Sequence, residues 1–476
     1  MFEINLDLSG IPADNPVLFA WWLFSHGGFI ILGVALLFVL WDWWITSRQH
    51  LYEHGIRYLL LAIDVPKETE QSPHAAEQIF ATLSATLNKG TLYERLWKGK
   101  HAESFSFEVV SLGGYIQFLV RCPADYRDLL EASVYAQYPD AEITQVEDYV
   151  GRIPLDFNTE AYDLWGTEFT LINKQVYPIR TYPEFEDSLS GEFKDPMAAL
   201  LEVLGRIGAD EDIWLQLVVT PTTDSWKRES AEEVKKLIKG HAGSSHGVLY
   251  WLFVELPIGV GCVIIETAFA GIFEPTWCGG EYGAFDSTTP EVVRDITKLS
   301  PGQKLVVEAI EHKASKIGFK TKFRLVYWGR RETFLKGRGV SAVVGAIQQF
   351  TVLNLNGWVP GRAVTTKAEY FLKQSRINHK QRSILRSFKR RSAHRGLGHG
   401  FIMNIEELAT LYHFPVVTVK APLVKKTEVK KAEPPALLPV MGQGYLRPVN
   451  QPEAGGPSTL GAPTGQPPTN LPFVDE

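Results

Sequence analysis

Between Arg376 and Arg395 the sequence gathers eight cationic side chains: Arg376, Lys380, Arg382, Arg386, Lys389, Arg390, Arg391 and Arg395. Ile377, Ile384, Leu385 and Phe388 recur among them, so the segment is expected to be a helix with apolar packing beneath and a basic face above. Such a face suits phosphate. Guanidinium groups serve the phosphates of DNA or RNA and the headgroups of an anionic inner leaflet alike, so the basic run leaves both partners open.

Other chemistry is hard to find. No G-x-x-x-x-G-K-[ST] run occurs, so the chain lacks the backbone cradle and lysine that hold the β and γ phosphates of a nucleotide. The glycines at Gly259 and Gly261 and from Gly396 to Gly400 do not sit between a strand and a helix as a dinucleotide site requires, and read as turns. No H-E-x-x-H, G-x-S-x-G or calcium-loop pattern occurs, and the 12 histidines are scattered. Cys122, Cys262 and Cys278 form no C-x-x-C pair, which argues against a disulfide framework or zinc knuckle and for a reducing compartment. A net charge of -6 speaks against a wholly nucleic-acid-binding surface, so any such role must be local. The expectation is a chain with no catalytic residues, cofactor or metal.

The elements that must position the basic face follow an apolar run. From Val17 to Trp41 about 25 residues carry no charge, flanked by Trp21 and Trp22 near one end and Trp43 and Trp44 at the other. Glu3, Asp7 and Asp14 precede the run, whereas Arg48, Arg57 and Lys67 follow it. The positive-inside rule then predicts a single transmembrane helix over 17–41, with residues 1–16 outside and the bulk cytoplasmic.

Beyond the run the pattern is α+β. Strand-like Tyr58 to Val65, a helix opened by Ser72 and Pro73, a hairpin turning at Gly113 and Gly114, a helix after Pro123 and a last strand from Ala141 to Val146 give β-α-β-β-α-β. This is the ferredoxin-like order, expected over 57–150. A second α/β domain is expected over 160–415. It contains strand-like Phe169 to Ile172, a helix capped at Asp195 and Pro196, buried-strand Ile213 to Val219, a capping box at Ser300 and a strand from Phe319 to Trp328. An insertion over 240–299 interrupts it. The apolar run 248–273 within that insertion contains Glu255, Pro257 and Glu266, which fits an interfacial segment, a core hairpin or an oligomer contact better than a span. The Pro- and Gly-rich stretch 416–476 is too poor in apolar residues for a core and is expected to be disordered.

The runs Phe105 to Ser111, Tyr135 to Ile143, Val352 to Gly357 and Asn404 to Pro415 resemble those of an uncharacterised bacterial membrane-protein family associated with type IV secretion and conjugative DNA-transfer ATPases. In longer relatives a motor ATPase domain follows the segment resembling Lys430 to Pro435; here a Pro-, Gly- and Gln-rich stretch takes its place. The resemblance implies an accessory scaffold anchored in a bacterial inner membrane that recruits a separate conjugation-type ATPase, with the Asn404 to Pro415 helix and the tail after it near the motor. The alternative is a structural protein of the envelope or a pilus-like assembly, a homo-oligomer built through its ferredoxin-like modules.

Overall fold

The computed structural model describes residues 29–66, 71–88, 90–185, 194–239, 299–369, 372–393, 396–398 and 400–415. Helix α1 spans Phe29–Gly55 and leads into strand β1, Tyr58–Asp64. Then come α2 (His74–Leu83), α3 (Leu92–Trp97), β2 (Phe105–Leu112), β3 (Tyr115–Pro123), α4 (Arg127–Gln137) and β4 (Glu142–Gln145). The second half runs β5 (Tyr162–Leu171), α5 (Met197–Gly205), β6 (Glu211–Pro221), α6 (Trp226–Lys239), α7 (Pro301–Ser315), β7 (Gly318–Arg330), α8 (Ala342–Gln348) and β8 (Trp358–Pro360). Helix α9 (Lys373–Arg390), β9 (Phe401–Asn404) and α10 (Ile405–Leu411) complete the described elements.

Local chemistry accounts for several boundaries. Gly113 and Gly114 both take positive φ, 61° and 91°, as a tight hairpin between β2 and β3 needs. Ser300 and Gln303 form the expected capping box at the start of α7, and the Asp195 carboxylate accepts the Met197 amide ahead of α5. At α2 the expected cap is replaced: Pro73 is the N-cap and makes no side-chain cap bond.

Among the described residues all the strands join one nine-stranded sheet in the order β4-β1-β3-β2-β6-β7-β5-β8, with β9 paired to the start of β7, and every pairing is antiparallel. The boundary expected between 150 and 160 is therefore no break in the sheet. β2 pairs with β6 over its whole length, from Phe105 opposite Val219 to Leu112 opposite Asp212. Outward from this junction the order is the same on both sides: the half's second strand, then its third, first and fourth. The halves differ in what joins their second and third strands: the Gly113–Gly114 turn in one, and α6, residues 240–298 and α7 in the other. The expected run 248–273 lies outside the described residues, as does 416–476.

Strand alternation sorts the side chains onto two faces. On one face Leu61, Phe107, Phe118, Leu215, Phe323 and their neighbours pack under α2, α4, α5, α8 and α10. On the other, Leu60, Val110, Trp214, Val326 and Trp328 pack under α9 and the segment holding Tyr149, Ile153 and Phe157. The chain is thus three-layered α+β.

The membrane expectation is overturned. Among the described residues no helix is long and apolar enough to cross a membrane. Residues 17–28 of the expected span lie outside the described set, and α1 carries only Phe29 to Trp41, about 13 apolar residues or roughly 20 Å, before Asp42, Arg48 and Glu53. A 30 Å hydrocarbon core needs about 20 such residues. The single-pass inner-membrane placement, with its outside N-terminus, falls with that span.

Candidate functional site

Helix α9 is amphipathic for the reason the sequence suggests. Ile384, Leu385 and Phe388 are fully buried against the sheet, Gln381 is buried beside them, and Ile377 is half-buried. Gln381 donates to the Leu164 carbonyl at 2.8 Å and to Asp163 at 2.9 Å, which fixes the helix along β5. A Cβ on Gly166 would lie 2.9 Å from the Ile384 side chain, so only glycine lets α9 approach this closely. No Asp or Glu occurs anywhere in the helix.

Beneath its C-terminal end a polar row crosses four adjacent strands. Glu108 on β2 faces Gln216 on β6, Gln216 faces Arg324 on β7, and Arg324 faces Glu168 on β5. Gln216 donates to Glu108 at 3.0 Å; Arg324 donates to Gln216 at 3.1 Å and to Glu168 at 2.9 Å. Lys322 lies 3.4 Å from Glu168. Arg324 and Gln216 also donate upward to the carbonyls of Ser392 and Phe388, so the negative end of the α9 dipole rests on a buried guanidinium.

Arg391 closes the row. It follows α9 in the left-handed conformation, φ 50°, and its guanidinium turns down to grip Glu108 at 2.7 and 3.1 Å and Asp148 at 2.6 and 2.9 Å. Ser106 and Tyr149 donate to the same Glu108 carboxylate. Burial alone would weaken the charge on Arg391, yet Glu108 and Asp148 outweigh it and hold the guanidinium more firmly protonated than usual. Burial likewise pushes the Asp148 carboxyl up, but Arg391 overrides that and leaves it below the ordinary range.

The eight cations of the basic run therefore divide. Arg391 is 2 % exposed and structural, a correction to its expected role as a phosphate contact. Lys380 donates to the carbonyls of Arg362, Thr365 and Lys367, each at 3.2 Å, and burial lowers its pKa. Arg376 reaches the Glu369 carbonyl while staying exposed. Burial also lowers the Lys389 pKa. Arg395 lies outside the described residues. Arg382, Arg386 and Arg390 remain in a line at four-residue spacing on the side of α9 away from the sheet, Arg382 and Arg390 exposed and Arg386 half-buried. Arg382 stands 3.7 Å from the exposed Asp156, and Arg390 meets His50 of α1 at 3.4 Å.

The Asn404 to Pro415 run, expected beside a motor, turns inward. Every residue of α10 is buried. Asn404 and Glu407 form a capping box, and Glu407 also accepts from the Ile179 amide and pairs with the buried Lys313 at 3.0 Å. Sequence reasoning missed both polar networks. Ser106 and Glu108 alternate with Phe105, Phe107 and Val109 as solvent-facing residues would, Gln216 and Arg324 lie inside runs expected as strands, and Glu168 precedes one; their only signal is polar or charged side chains inside otherwise apolar runs.

Among the described residues no group of three His, Cys, Asp or Glu side chains could hold a metal ion. A shallow depression lined by Ala85, Thr86, Leu87, Asn88, Tyr126 and Leu129 contains no catalytic grouping. No curated protein matches the chain. A family model described as a domain of unknown function, DUF8128, matches residues 53–427, which takes in the whole sheet, the polar row and α9. The chain belongs to this DUF8128 family.

Proposed function

We propose that the protein is a non-catalytic accessory scaffold of a conjugation-type DNA-transfer machine, holding nucleic acid on α9 beside a motor ATPase supplied by another chain. The observation that carries this reading is the division of labour within α9. Ile384, Leu385 and Phe388 lock the helix to the sheet and Arg391 is consumed by Glu108 and Asp148, which leaves Arg382, Arg386 and Arg390 aligned outward on a rigid support. Successive members of that line are about 6 Å apart along the axis.

Within this reading the first four strands form a ferredoxin-like unit, and the second half repeats its strand order around a longer insertion. The resemblance of the four sequence runs supplies the machine. A motor contact through Asn404 to Pro415 is excluded from the proposal, because those side chains are spent inside the chain's own core.

The test uses the full chain. It should bind mixed-sequence duplex DNA with an affinity that falls steeply with salt, and R382E/R386E/R390E should weaken binding to every sequence alike, lowering the salt slope by about 0.9 per lost contact. Affinity purification followed by mass spectrometry should recover an ATPase. Salt-insensitive or absent DNA binding would refute the reading.

A further inference from the structure

Arg390 does not stand alone. Its Nη1 lies 3.4 Å from His50 Nε2, and the His50 ring lies 4.7 Å from that of His54, one turn further along α1. Arginine can only donate, so the facing Nε2 must be the unprotonated acceptor, and His50 is neutral with its proton on Nδ1. Burial lowers the His50 pKa first, and His54 and Arg390 lower it further against the opposing pull of Glu53. The charged and titratable groups facing it are thus His54 and Glu53 from its own helix and Arg390 from α9. Glu53 is itself drawn to His101, 3.5 Å away.

This is a cation, a neutral imidazole and a second imidazole at one junction, at the end of the Arg382–Arg386–Arg390 line. An anion entering between them reverses the balance: it neutralises Arg390, accepts from both rings and makes protonation of His50 favourable. The neighbouring carboxylates have cations of their own: Asp148 is engaged by Arg391, and Asp156 stands beside Arg382.

Resting on the reading of α9 as a nucleic-acid face, we propose that Arg386, Arg390, His50 and His54 form a phosphate site for a nucleic-acid strand, and that phosphate enters it together with a proton. A bidentate guanidinium flanked by two imidazole rings that can donate N–H bonds matches a phosphodiester, whose charge is fixed across the relevant pH. The proton is taken from solvent by His50 Nε2, so binding strengthens as pH falls and no covalent bond changes.

Fluorescence anisotropy of the full chain with a labelled mixed-sequence duplex, at fixed ionic strength from pH 8 to pH 5.5, tests the site. Affinity should rise on acidification, approaching tenfold per pH unit for each proton taken up. H50Q/H54Q keeps an acceptor for Arg390 and removes both rings from the site, so it should bind more weakly than the wild type at every pH and lose most of the acid enhancement, the gap widening as pH falls; circular dichroism verifies its fold. R386E/R390E should bind weakly at every pH. Salt-sensitive binding that is equally pH-dependent in H50Q/H54Q and wild type, or flat with pH in both, would overturn this site and leave the α9 reading standing. Failure to bind DNA at any pH would overturn both, as would stronger binding of polyglutamate than of DNA, which would assign the surface to an acidic protein.

Discussion

Replacing Arg391 by Met should destabilise the protein far more than replacing its neighbour Arg390, although the two are adjacent and chemically identical in the sequence. Arg391 is 2 % exposed and Glu108 0 %, and the pair makes two charge-assisted bonds at 2.7 and 3.1 Å. Removing one partner of a buried ion pair costs about 3–5 kcal/mol, because the remaining charge stays desolvated. Glu108 keeps Ser106, Tyr149 and Gln216 as donors, which places R391M near the lower end, about 3 kcal/mol. Urea unfolding of the full chain measures this as a fall in the midpoint at unchanged m. R391M/E108Q, which removes both charges, should recover about 1 kcal/mol or more of the loss. The same change alters the acid limb. Asp148 is held below its unfolded pKa in the wild type, so it contributes stability that is complete above the unfolded value and lost as pH falls through the native one. R391M should flatten that limb. A loss below about 1 kcal/mol, or a double variant no more stable than R391M, would refute the account of Arg391 as the clamp between α9 and the sheet.

Asn356 is 1 % exposed; its amide donates to the carbonyls of Lys174 and Tyr177 and accepts from the amides of Asn173 and Gly357, all at 3.0 Å. N356A should therefore cost about 3 kcal/mol in urea unfolding, and a loss within about 0.5 kcal/mol would show that these backbone groups find other partners. Burial pushes the Cys122 thiol up to about 11, so peptide mapping after iodoacetamide at pH 8 should find Cys122 unmodified in the native chain and modified in urea. The purified chain should hydrolyse no ATP in a coupled assay, and robust turnover would end the accessory-scaffold proposal.

The elements that obey a local rule were legible in the sequence: the Gly113–Gly114 hairpin, the Ser300 capping box, and α9 with its apolar positions at helical spacing. What escaped is set by contacts far apart in the chain. Glu108 sits between Phe107 and Val109, and alternation there implies a solvent-facing position. It is buried because α9, more than 250 residues later, covers that face of the sheet. Arg391 could not be separated from Arg390, since the difference is a left-handed residue that turns one guanidinium inward. The Asn404 to Pro415 run was recognisable as a motif, but a motif records recurrence and not exposure, and here it marks core. The expected membrane span drew on an uncharged run, its flanking tryptophans and the charges around it, none of which tells where a helix continues: α1 runs on through Asp42, Arg48 and Glu53 to Gly55.

The mirrored strand order about the β2–β6 junction carries a consequence for how such a chain tolerates division. Taken alone, the first half would be a four-stranded sheet and the second, with β9 on β7, a five-stranded one, each ending in a long, apolar, unpaired edge, β2 in one and β6 in the other, and such edges drive association with other strands. Covalent linkage gives each edge its complement at high effective concentration. A chain severed between β4 and β5 would have the makings of a split protein, each fragment prone to aggregate by itself and the two able to close one another's edge when mixed. By the same logic the junction is the place where a misfolded molecule could exchange halves with its neighbour, producing a domain-swapped pair whose every strand contact is native.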